Sequence, residues 1–188
     1  MSKIENDILF KIYMEEYSKL KDEQKSRIGF RDNLIYVTLV SIGAILSYAT
    51  RCPKYYYAFL ILPLSNFILV WTWLLNDEKI TSIRKYIQNN LTSYINKLLE
   101  SNNSTIFAWE NFHRKDKNRM WRKMLQLLAN ELLYCISGLF SVFLFFHYSQ
   151  TTLFVVSKVS ILGIFEIILL IIVGIKIFIC SDIKDSNS

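Results

Sequence analysis

The sequence predicts an all-α membrane protein with four transmembrane helices, arranged as two hairpins, and with amphipathic cytoplasmic helices. Apolar residues make up 52% of the 188 residues, yet the formal net charge is +6, so apolar and basic residues occupy separate blocks. Gly and Pro number only five and two, which disfavours turn-rich and sheet-rich folds. Four apolar stretches approach or exceed the roughly 20 residues that a helix needs to cross the hydrocarbon core.

These four stretches are the predicted spans. They cover residues 33–50, 55–75, 127–148 and 153–180. Short connections join the first two and the last two, so we expect one transmembrane hairpin over 33–75 and a second over 127–180. Pro63 lies inside the second span and predicts a kink, because proline cannot donate the backbone bond to the residue four positions earlier. The carbonyl released there needs a partner on a neighbouring span.

The distribution of Lys and Arg predicts the orientation of the spans. Residues 1–32 hold seven of these basic side chains and residues 76–126 hold ten, whereas the short connections hold only Arg51 and Lys54. Segments rich in Lys and Arg stay in the cytoplasm. We therefore expect residues 1–32, the connection 76–126 and the tail 181–188 to be cytoplasmic, with both short connections facing outward.

Outside the spans, two stretches carry apolar side chains at helical spacing and predict amphipathic helices. The first, between residues 4 and 31, has the stripe Ile4, Ile8, Ile12, Tyr17 and Leu20. The second has the stripe Ile80, Ile83, Ile87, Leu91, Ile95 and Leu98. Each apolar face needs a surface to pack against, and three surfaces are possible: the rest of the chain, another subunit, or the headgroup layer. Because another subunit is one of these surfaces, a homo-oligomer is expected.

A further helix is predicted from about Ile106 into the third span, and it carries a basic cluster over residues 114–123. Two roles stay open for this cluster. It adjoins a membrane entry point, where Lys and Arg bind anionic lipid headgroups of the bilayer. Trp121 among the basic residues also permits stacking on nucleic-acid bases, so a nucleic acid or an acidic protein surface is the alternative partner.

Charged residues inside the spans are candidate functional positions, because a charge in the hydrocarbon core is costly. Glu166 falls near the middle of the fourth span, and we expect it to face protein or water rather than lipid. It is either a protonated carboxyl group hydrogen-bonded between helices or a group that lines a hydrated path. Glu131, near the start of the third span, is expected to pair with basic side chains at the interface. Lys158 and Lys176 are expected to anchor the fourth span at its two ends.

The sequence holds no motif of an enzyme active site. It has no Gly-rich phosphate loop, no HExxH or GxSxG motif and no paired Cys/His set. The two histidines, His113 and His147, fall on opposite sides of the membrane in the predicted topology, and the three cysteines lie far apart in the chain. We therefore expect no catalytic residue, no cofactor and no metal ion.

Three stretches carry a resemblance to known proteins: EQKSRIGFRDNLIYVTL at 23–39, WTWLLNDEKITSIRKYI at 71–87 and WENFHRKDKNRMWRK at 109–123. Together they resemble a family of small bacterial integral membrane proteins, with the elements in the same order along nearly the whole chain. The sequence is also similar to the four-span accessory membrane protein of type VI-B CRISPR loci, which pair that protein with an RNA-guided, HEPN-containing RNase. The resemblance implies a multi-pass protein of the bacterial inner membrane.

The resemblance also implies an antiviral role for an oligomer that is coupled to a cytoplasmic nucleic-acid sensor. The expected function is a pore or gate controlled through the cytoplasmic helices, and the alternative is a non-conducting scaffold or regulator that binds the soluble RNase. A small transporter is disfavoured, because a single acidic residue lies deep in a span and no inverted repeat is visible.

The candidate site residues fall into two groups. Glu166 and Glu131 are expected at the pore or between helices. Residues expected to receive the signal or to contact a partner are Arg27, Arg31, Asp32, Asp77, Glu78, Lys79, Glu110, His113, Arg114, Arg119 and Arg122.

Overall fold

The computed structural model describes residues 3–99, 107, 118–149 and 158–180, and within these ranges it contains helices and turns but no strand. In chain order the elements are α1 (Lys3–Ala49), a 3-10 helix (Pro53–Leu60), α2 (Ile61–Tyr86), a first π-helical segment (Ile87–Leu91), α3 (Thr92–Leu98), α4 (Arg119–Asn130), a second π-helical segment (Glu131–Ile136), α5 (Ser137–Ser149) and α6 (Lys158–Cys180). The prediction of an all-α fold is confirmed. Near the predicted helix start at Ile106, Phe107 lies in a turn with a φ of 57°, and the helix is present from Arg119. Residues 108–117 and the tail 181–188 lie outside the described residues.

Four helical stretches are long and apolar enough to cross a membrane. They are Ile4–Ala49, Lys54–Leu98, Met120–Ser149 and Ser160–Ile179. Each overlaps one predicted span, which confirms four transmembrane helices by length and composition. The first two stretches hold 46 and 45 residues, far more than the roughly 20 that cross the hydrocarbon core, so a large part of each lies outside it.

The chain divides into two compact units. Unit 1 comprises Met1–Arg31 and Asn76–Arg119, and unit 2 comprises Asp32–Leu75 and Met120–Ser188. The first two of these boundaries lie within one residue of those predicted for the cytoplasmic segments. The third lies after Arg119, seven residues earlier than the predicted end of the long connection.

Unit 1 has an apolar core in which the N-terminal part of α1 packs against the first π-helical segment and α3. Ile87, Leu91 and Ile95 are fully buried in this core. The partly buried side chains around them are Phe10, Tyr13, Tyr17, Leu20, Ile83 and Phe107. The apolar stripe predicted over residues 80–98 is therefore covered by the chain itself, which was one of the three surfaces considered.

The first half of the stripe predicted for the N-terminal helix is not covered by the described residues, so another subunit and the headgroup layer stay open as its cover. Ile4, Ile8 and Ile12 are exposed by 73%, 54% and 53%. The five-residue step from Ile12 to Tyr17 turns the helix about 140° beyond one full revolution, so Ile4, Ile8 and Ile12 lie on a different face from Tyr17. Residues spaced by three, four and three keep to one face, and these are the ones in the core: Phe10, Tyr13, Tyr17 and Leu20.

Unit 2 contains two apolar clusters. The first draws residues from all four spanning helices: Leu34, Val70, Trp73, Leu74, Tyr134, Cys135, Val173 and Ile177. The second consists of Ala49, Ala58, Phe59, Leu60 and Phe145. Many other apolar side chains of the spans point outward, among them Phe143 at 64% and Ile179 at 67% exposure. Outward apolar faces are what a bilayer would cover.

The second span begins as a 3-10 helix and becomes α-helical at Ile61, so Pro63 lies in the first turn of α2. Pro63 is the third residue of α2, next to the change from 3-10 to α-helix, and the predicted kink itself stays a prediction. The carbonyl four residues before Pro63 belongs to Phe59, and it accepts a hydrogen bond from Ser141 of α5 over 2.6 Å. The prediction that a neighbouring span satisfies this carbonyl is confirmed.

Candidate functional site

The interior of unit 2 holds a small set of polar side chains among its spanning helices. Those with almost no exposure are Thr38, Asn66, Asn130, Ser141, Ser160 and Glu166. A polar group in an apolar interior is costly unless it is hydrogen-bonded, and more so where a bilayer excludes water. We therefore take this buried polar set, and Glu166 in particular, as the candidate functional site.

Glu166 lies on the inward face of α6, with 3% of its surface exposed. The other buried residues on this face are Gly163, Leu170, Val173 and Ile177. The expectation that Glu166 faces protein or water rather than lipid holds, since its surroundings are the interior of unit 2. Its Oε2 atom is buried and has no hydrogen-bond partner among the described residues. The interhelical bond and the hydrated path both stay predictions for this side chain.

Asn66 of α2 is fully buried and joins α2 to the second π-helical segment. Its Nδ2 donates to the carbonyl oxygen of Tyr134 over 2.9 Å and to Oγ of Ser137 over 2.8 Å. The Ser137 hydroxyl donates in turn to the carbonyl of Leu133. The Oδ1 atom of Asn66 has no hydrogen-bond partner within the part of the chain that the structure describes. Asn66 is thus a donor to an irregular stretch of helix.

The second π-helical segment replaces one turn of α-helix in the middle of the third span. The backbone N–H of Ser137 bonds to the carbonyl of Leu132, five residues earlier, where an α-helix would use four. Single π turns inside α-helices are frequent at functional sites. This segment begins at Glu131 and contacts both Asn66 and α6, so it belongs to the candidate site.

Glu131 lies against α6 at Gly174. A Cβ atom added at Gly174 would stand 3.2 Å from Oε2 of Glu131 and 3.4 Å from Sγ of Cys135. The Cys135 thiol donates to the carbonyl of Leu170 over 3.7 Å. A small residue at this position lets the two helices approach closely. The expected pairing of Glu131 with basic side chains stays a prediction beside these contacts.

Two glycines mark close packing of α5 and α6 on both sides of Glu166. A Cβ atom at Gly163 would stand 3.0 Å from Cζ of Phe146. A Cβ atom at Gly138 would stand 2.8 Å from Cδ1 of Leu170. Gly163 precedes Glu166 by three residues and Leu170 follows it by four, so the contacts lie one turn on either side of the carboxyl group.

In unit 1, polar contacts join α1 to α2 in antiparallel order. They are Arg31 to Asp77 (2.8 Å), Arg27 to Asn76 (3.4 Å), Gln24 to the carbonyl of Ile80 (3.5 Å) and Tyr86 to Glu16 (2.8 Å). Arg27 also pairs with Glu23 of its own helix at 2.7 Å. Three residues expected to contact a partner, Arg27, Arg31 and Asp77, are therefore engaged within the chain itself.

Three side chains of unit 1, outside the predicted spans, have shifted pKa values: Tyr86, Glu15 and Lys19. The hydrogen bond to Glu16, together with partial burial, raises the pKa of Tyr86 above its ordinary value. On the exposed side of α1, Glu15 and Lys19 pair at 2.8 Å, which lowers the pKa of Glu15 and raises that of Lys19. The hydrogen bond between Tyr86 and Glu16 joins α2 to α1, whereas Glu15 and Lys19 lie one turn apart on α1.

The other predicted partner-contacting residues are dispersed. Exposed ones are Asp32, Glu78, Lys79 and Arg122. Arg119 starts α4, and its side chain is not described. Glu110, His113 and Arg114 lie outside the described residues, so their predicted roles stay predictions.

Within the described ranges, no three His, Cys, Asp or Glu side chains come together as a metal site. His147 stacks on Phe143, with ring centroids 6.4 Å apart. Cys52 is exposed and Cys135 is buried, and neither is in a disulfide. Lys176 is exposed, as anchoring at an interface requires, while the side chain of Lys158 is not described.

Asn66 and Ser141, which each bond to another helix, are among the functional candidates that were not predicted from the sequence. Asn66 could have been recognised, because an amide inside an apolar stretch needs a partner on another helix. Ser141 carried no such signal, since serine in a span can bond to its own helix. Ser65 does this in α2, where its hydroxyl donates to Ile61 over 2.9 Å.

Comparisons of the chain with protein-family models, with curated proteins and with solved structures gave no match.

Proposed function

We propose that the chain is a multi-pass protein of the bacterial inner membrane that acts in CRISPR-linked antiviral defence. In this proposal it forms a homo-oligomer and serves as a pore or gate controlled through unit 1. The role as a pore or gate is supported by Glu166, whose carboxyl group is buried in the middle of a span. One of its two oxygens has no hydrogen-bond partner among the described residues. A charged side chain in the middle of a transmembrane helix raises the free energy of membrane insertion by about 2.5 kcal/mol or more. A role in moving ions or protons would explain why such a residue is present.

The defence part of the proposal is supported by the resemblance of residues 23–39, 71–87 and 109–123. An RNA-guided RNase or a nucleic acid is the proposed cytoplasmic partner. Glu78 and Lys79 are exposed and follow the second span directly, so they are available to such a partner.

A non-conducting scaffold that binds a soluble RNA-guided nuclease is the second candidate. One observation favours it: α5 and α6 are closely packed at Gly138 and Gly163, one turn on either side of Glu166. Conduction past Glu166 would require these helices to separate, whereas a scaffold works with the helices packed as they are.

Conductance measurements separate the two functions. Purified oligomer in planar bilayers under a salt gradient should give a cation-selective reversal potential that falls in Glu166→Gln and shifts towards anions in Glu166→Lys. Lys176→Gln is the matched control, because Lys176 lies on the same helix but is exposed and should leave selectivity unchanged. Identical reversal potentials for all variants, or no conductance from a well-folded oligomer together with its activating partner, would exclude the pore and favour the scaffold.

The oligomer and the defence role have their own tests. Native mass spectrometry in mild detergent should give a mass that is a multiple of the 22.2 kDa chain. Phage plaque counts should differ between cells that carry the partner RNase with and without this protein. A stable monomer would contradict the oligomer, and equal plaque counts would contradict the defence role.

A further inference from the structure

The helix α4, which leads into the third span, exposes its apolar face. Met120, Trp121, Met124, Leu125 and Leu128 are exposed by 55%, 65%, 47%, 51% and 62%. They fall on one side of the helix, within an arc of about 140° at 100° per residue. Water would leave this apolar face uncovered, which is unfavourable because the hydrophobic effect favours removing apolar surface from water.

The polar residues of α4 lie on the other side of the helix. Arg122, Lys123 and Gln126 share an arc of about 100°, and Asn130 on the same side is buried in unit 2. Lys123 is half-buried, while Arg122 is exposed. From residue 119 to residue 130 the sequence has no acidic side chain. The segment is thus basic on one side and apolar on the other, and its apolar side is exposed.

The length of the helix that contains α4 indicates how deep the apolar face of α4 lies in the bilayer. The stretch Met120–Ser149 holds 30 residues, which is about 45 Å of α-helix. The hydrocarbon core is about 30 Å thick and the whole bilayer with its headgroups is about 40–45 Å. A helix that crosses the core over residues 127–148 therefore has its first two turns at the level of the headgroups. Trp and basic side chains are the residues that favour this level.

We propose that α4 lies in the headgroup layer and that Arg122 and Lys123 bind the phosphate groups of anionic phospholipids. The apolar face that contains Trp121 and Leu125 is then covered by the upper part of the acyl chains. The proposal commits to lipid as the occupant, because the segment carries positive charge without acidic residues and is continuous with a membrane span. It does not depend on whether the protein conducts ions.

The first test is lipid affinity. Native mass spectrometry of the detergent-purified full chain, titrated with phosphatidylglycerol, gives a dissociation constant for bound lipid. Each basic side chain near an anionic surface contributes about a fivefold change in affinity, so the double variant Arg122→Gln, Lys123→Gln should bind roughly 5- to 25-fold more weakly. The matched control is Arg51→Gln, Lys54→Gln, which removes two exposed basic residues between the first two spans. Equal changes in both double variants, or no change in either, would overturn the proposal.

The second test measures depth without altering the basic residues. A spin label at Leu125, on a background without native cysteines and in nanodiscs with phosphatidylglycerol, should show an oxygen accessibility between two references. The references are labels at Phe143, which is exposed on the third span, and at Asp22, which is exposed on unit 1. An accessibility equal to that at Asp22 would overturn the proposal. Dipolar broadening between the Leu125 labels of two copies would also overturn it, in favour of a second chain as the cover.

Discussion

Ser141 of α5 donates its hydroxyl to the backbone carbonyl of Phe59, 2.6 Å away in the 3-10 helix. In an α-helix this carbonyl would be bonded by the N–H at position 63, which Pro63 does not have. Both Ser141 and Phe59 are fully buried in unit 2. Inside a bilayer no water can replace the missing donor. A side chain from one span therefore completes the backbone hydrogen bonding of another.

Ser141→Ala is expected to destabilise unit 2 by about 1 kcal/mol, the usual scale of hydrogen bonds between transmembrane helices. Pro63→Ala restores an N–H that can reach the Phe59 carbonyl, so the loss from Ser141→Ala should be clearly smaller in that background. Unfolding by SDS titration in mixed micelles, applied to all four combinations, gives the coupling free energy. The control is Ser65→Ala, which removes a hydroxyl bonded to its own helix and should cost little. The same loss from Ser141→Ala with and without Pro63 would contradict the interpretation.

Asn66→Leu should cost more than Ser141→Ala, about 2 kcal/mol, because it removes two donated hydrogen bonds at once. Asn66→Asp keeps the shape of the side chain but not its donor, and should also destabilise. The same SDS titration measures both variants. Asn33→Leu is the control, since Asn33 is exposed at the start of the first predicted span. If Asn66→Leu were no more costly than Asn33→Leu, the bonds to Tyr134 and Ser137 would contribute nothing.

The need for a donor near Pro63 could be predicted from the sequence, whereas the identity of that donor could not. Local chemistry fixes which backbone group a proline leaves unbonded. Which of many hydroxyl groups reaches it depends on how the helices pack, and that information is spread over the whole chain. The 3-10 helix at the start of the second span was not predicted either, because the apolar stretch from Tyr55 to Leu75 has no feature that distinguishes a 3-10 helix from an α-helix.

The spacing of apolar residues predicts where the helices lie in the chain better than it predicts which face of each helix is buried. The stripe through Ile87, Leu91 and Ile95 was read correctly, because each step leaves the next residue on the same side of the first π-helical segment and α3. In α1 the predicted stripe contains Ile4 and Ile8, which are exposed, whereas Phe10 and Tyr13 pack against the core. The two π-helical segments were not predicted either, since the sequence has no local feature that separates a π-helical turn from an α-helical one.

Gly138→Ala and Gly163→Ala are each expected to destabilise unit 2 by about 1–3 kcal/mol, because a methyl group would press on the buried Leu170 or on the Phe146 ring. The control is Gly43→Ala. A Cβ atom at Gly43 meets nothing within 4 Å, and the higher helix propensity of alanine should raise stability by up to about 1 kcal/mol. Thermal unfolding in detergent, followed by the fraction of protein that stays soluble, ranks the three variants. A destabilised Gly43→Ala or an unaffected Gly138→Ala would show that the α5–α6 contact is looser than described.

The ion pair between Arg31 and Asp77 should stabilise unit 1. Its two side chains are only 20% and 24% exposed, so the pair is partly shielded from solvent and salt. Arg31→Asp should place two carboxylates together and reduce the protection of amides in residues 20–31 against hydrogen exchange. The charge-swapped double variant, Arg31→Asp with Asp77→Arg, should restore most of this amide protection. The coupling free energy between the two positions should be about 1 kcal/mol. A double-mutant cycle on the fully exposed pair Glu15–Lys19 is the control and should give no measurable coupling.

The final prediction concerns orientation, and a native residue can report it. Cys52 is exposed in the connection between the first two spans, which the basic-residue distribution predicts to face outward. With Cys135 and Cys180 replaced by Ala, Cys52 should react with a membrane-impermeant maleimide in intact cells. A protein whose single cysteine replaces the exposed Ser26 in unit 1 should react only after the cells are permeabilised.

Cys52 is a better reporter than an introduced residue, because no part of the connection has to be changed to place the label. Labelling at position 26 in intact cells, with Cys52 protected, would reverse the orientation and put unit 1 outside. That result would also remove the cytoplasmic RNase or nucleic acid as a partner, since unit 1 could not meet either one. The labelling pattern therefore tests the topology and, through it, the first requirement of the proposed function.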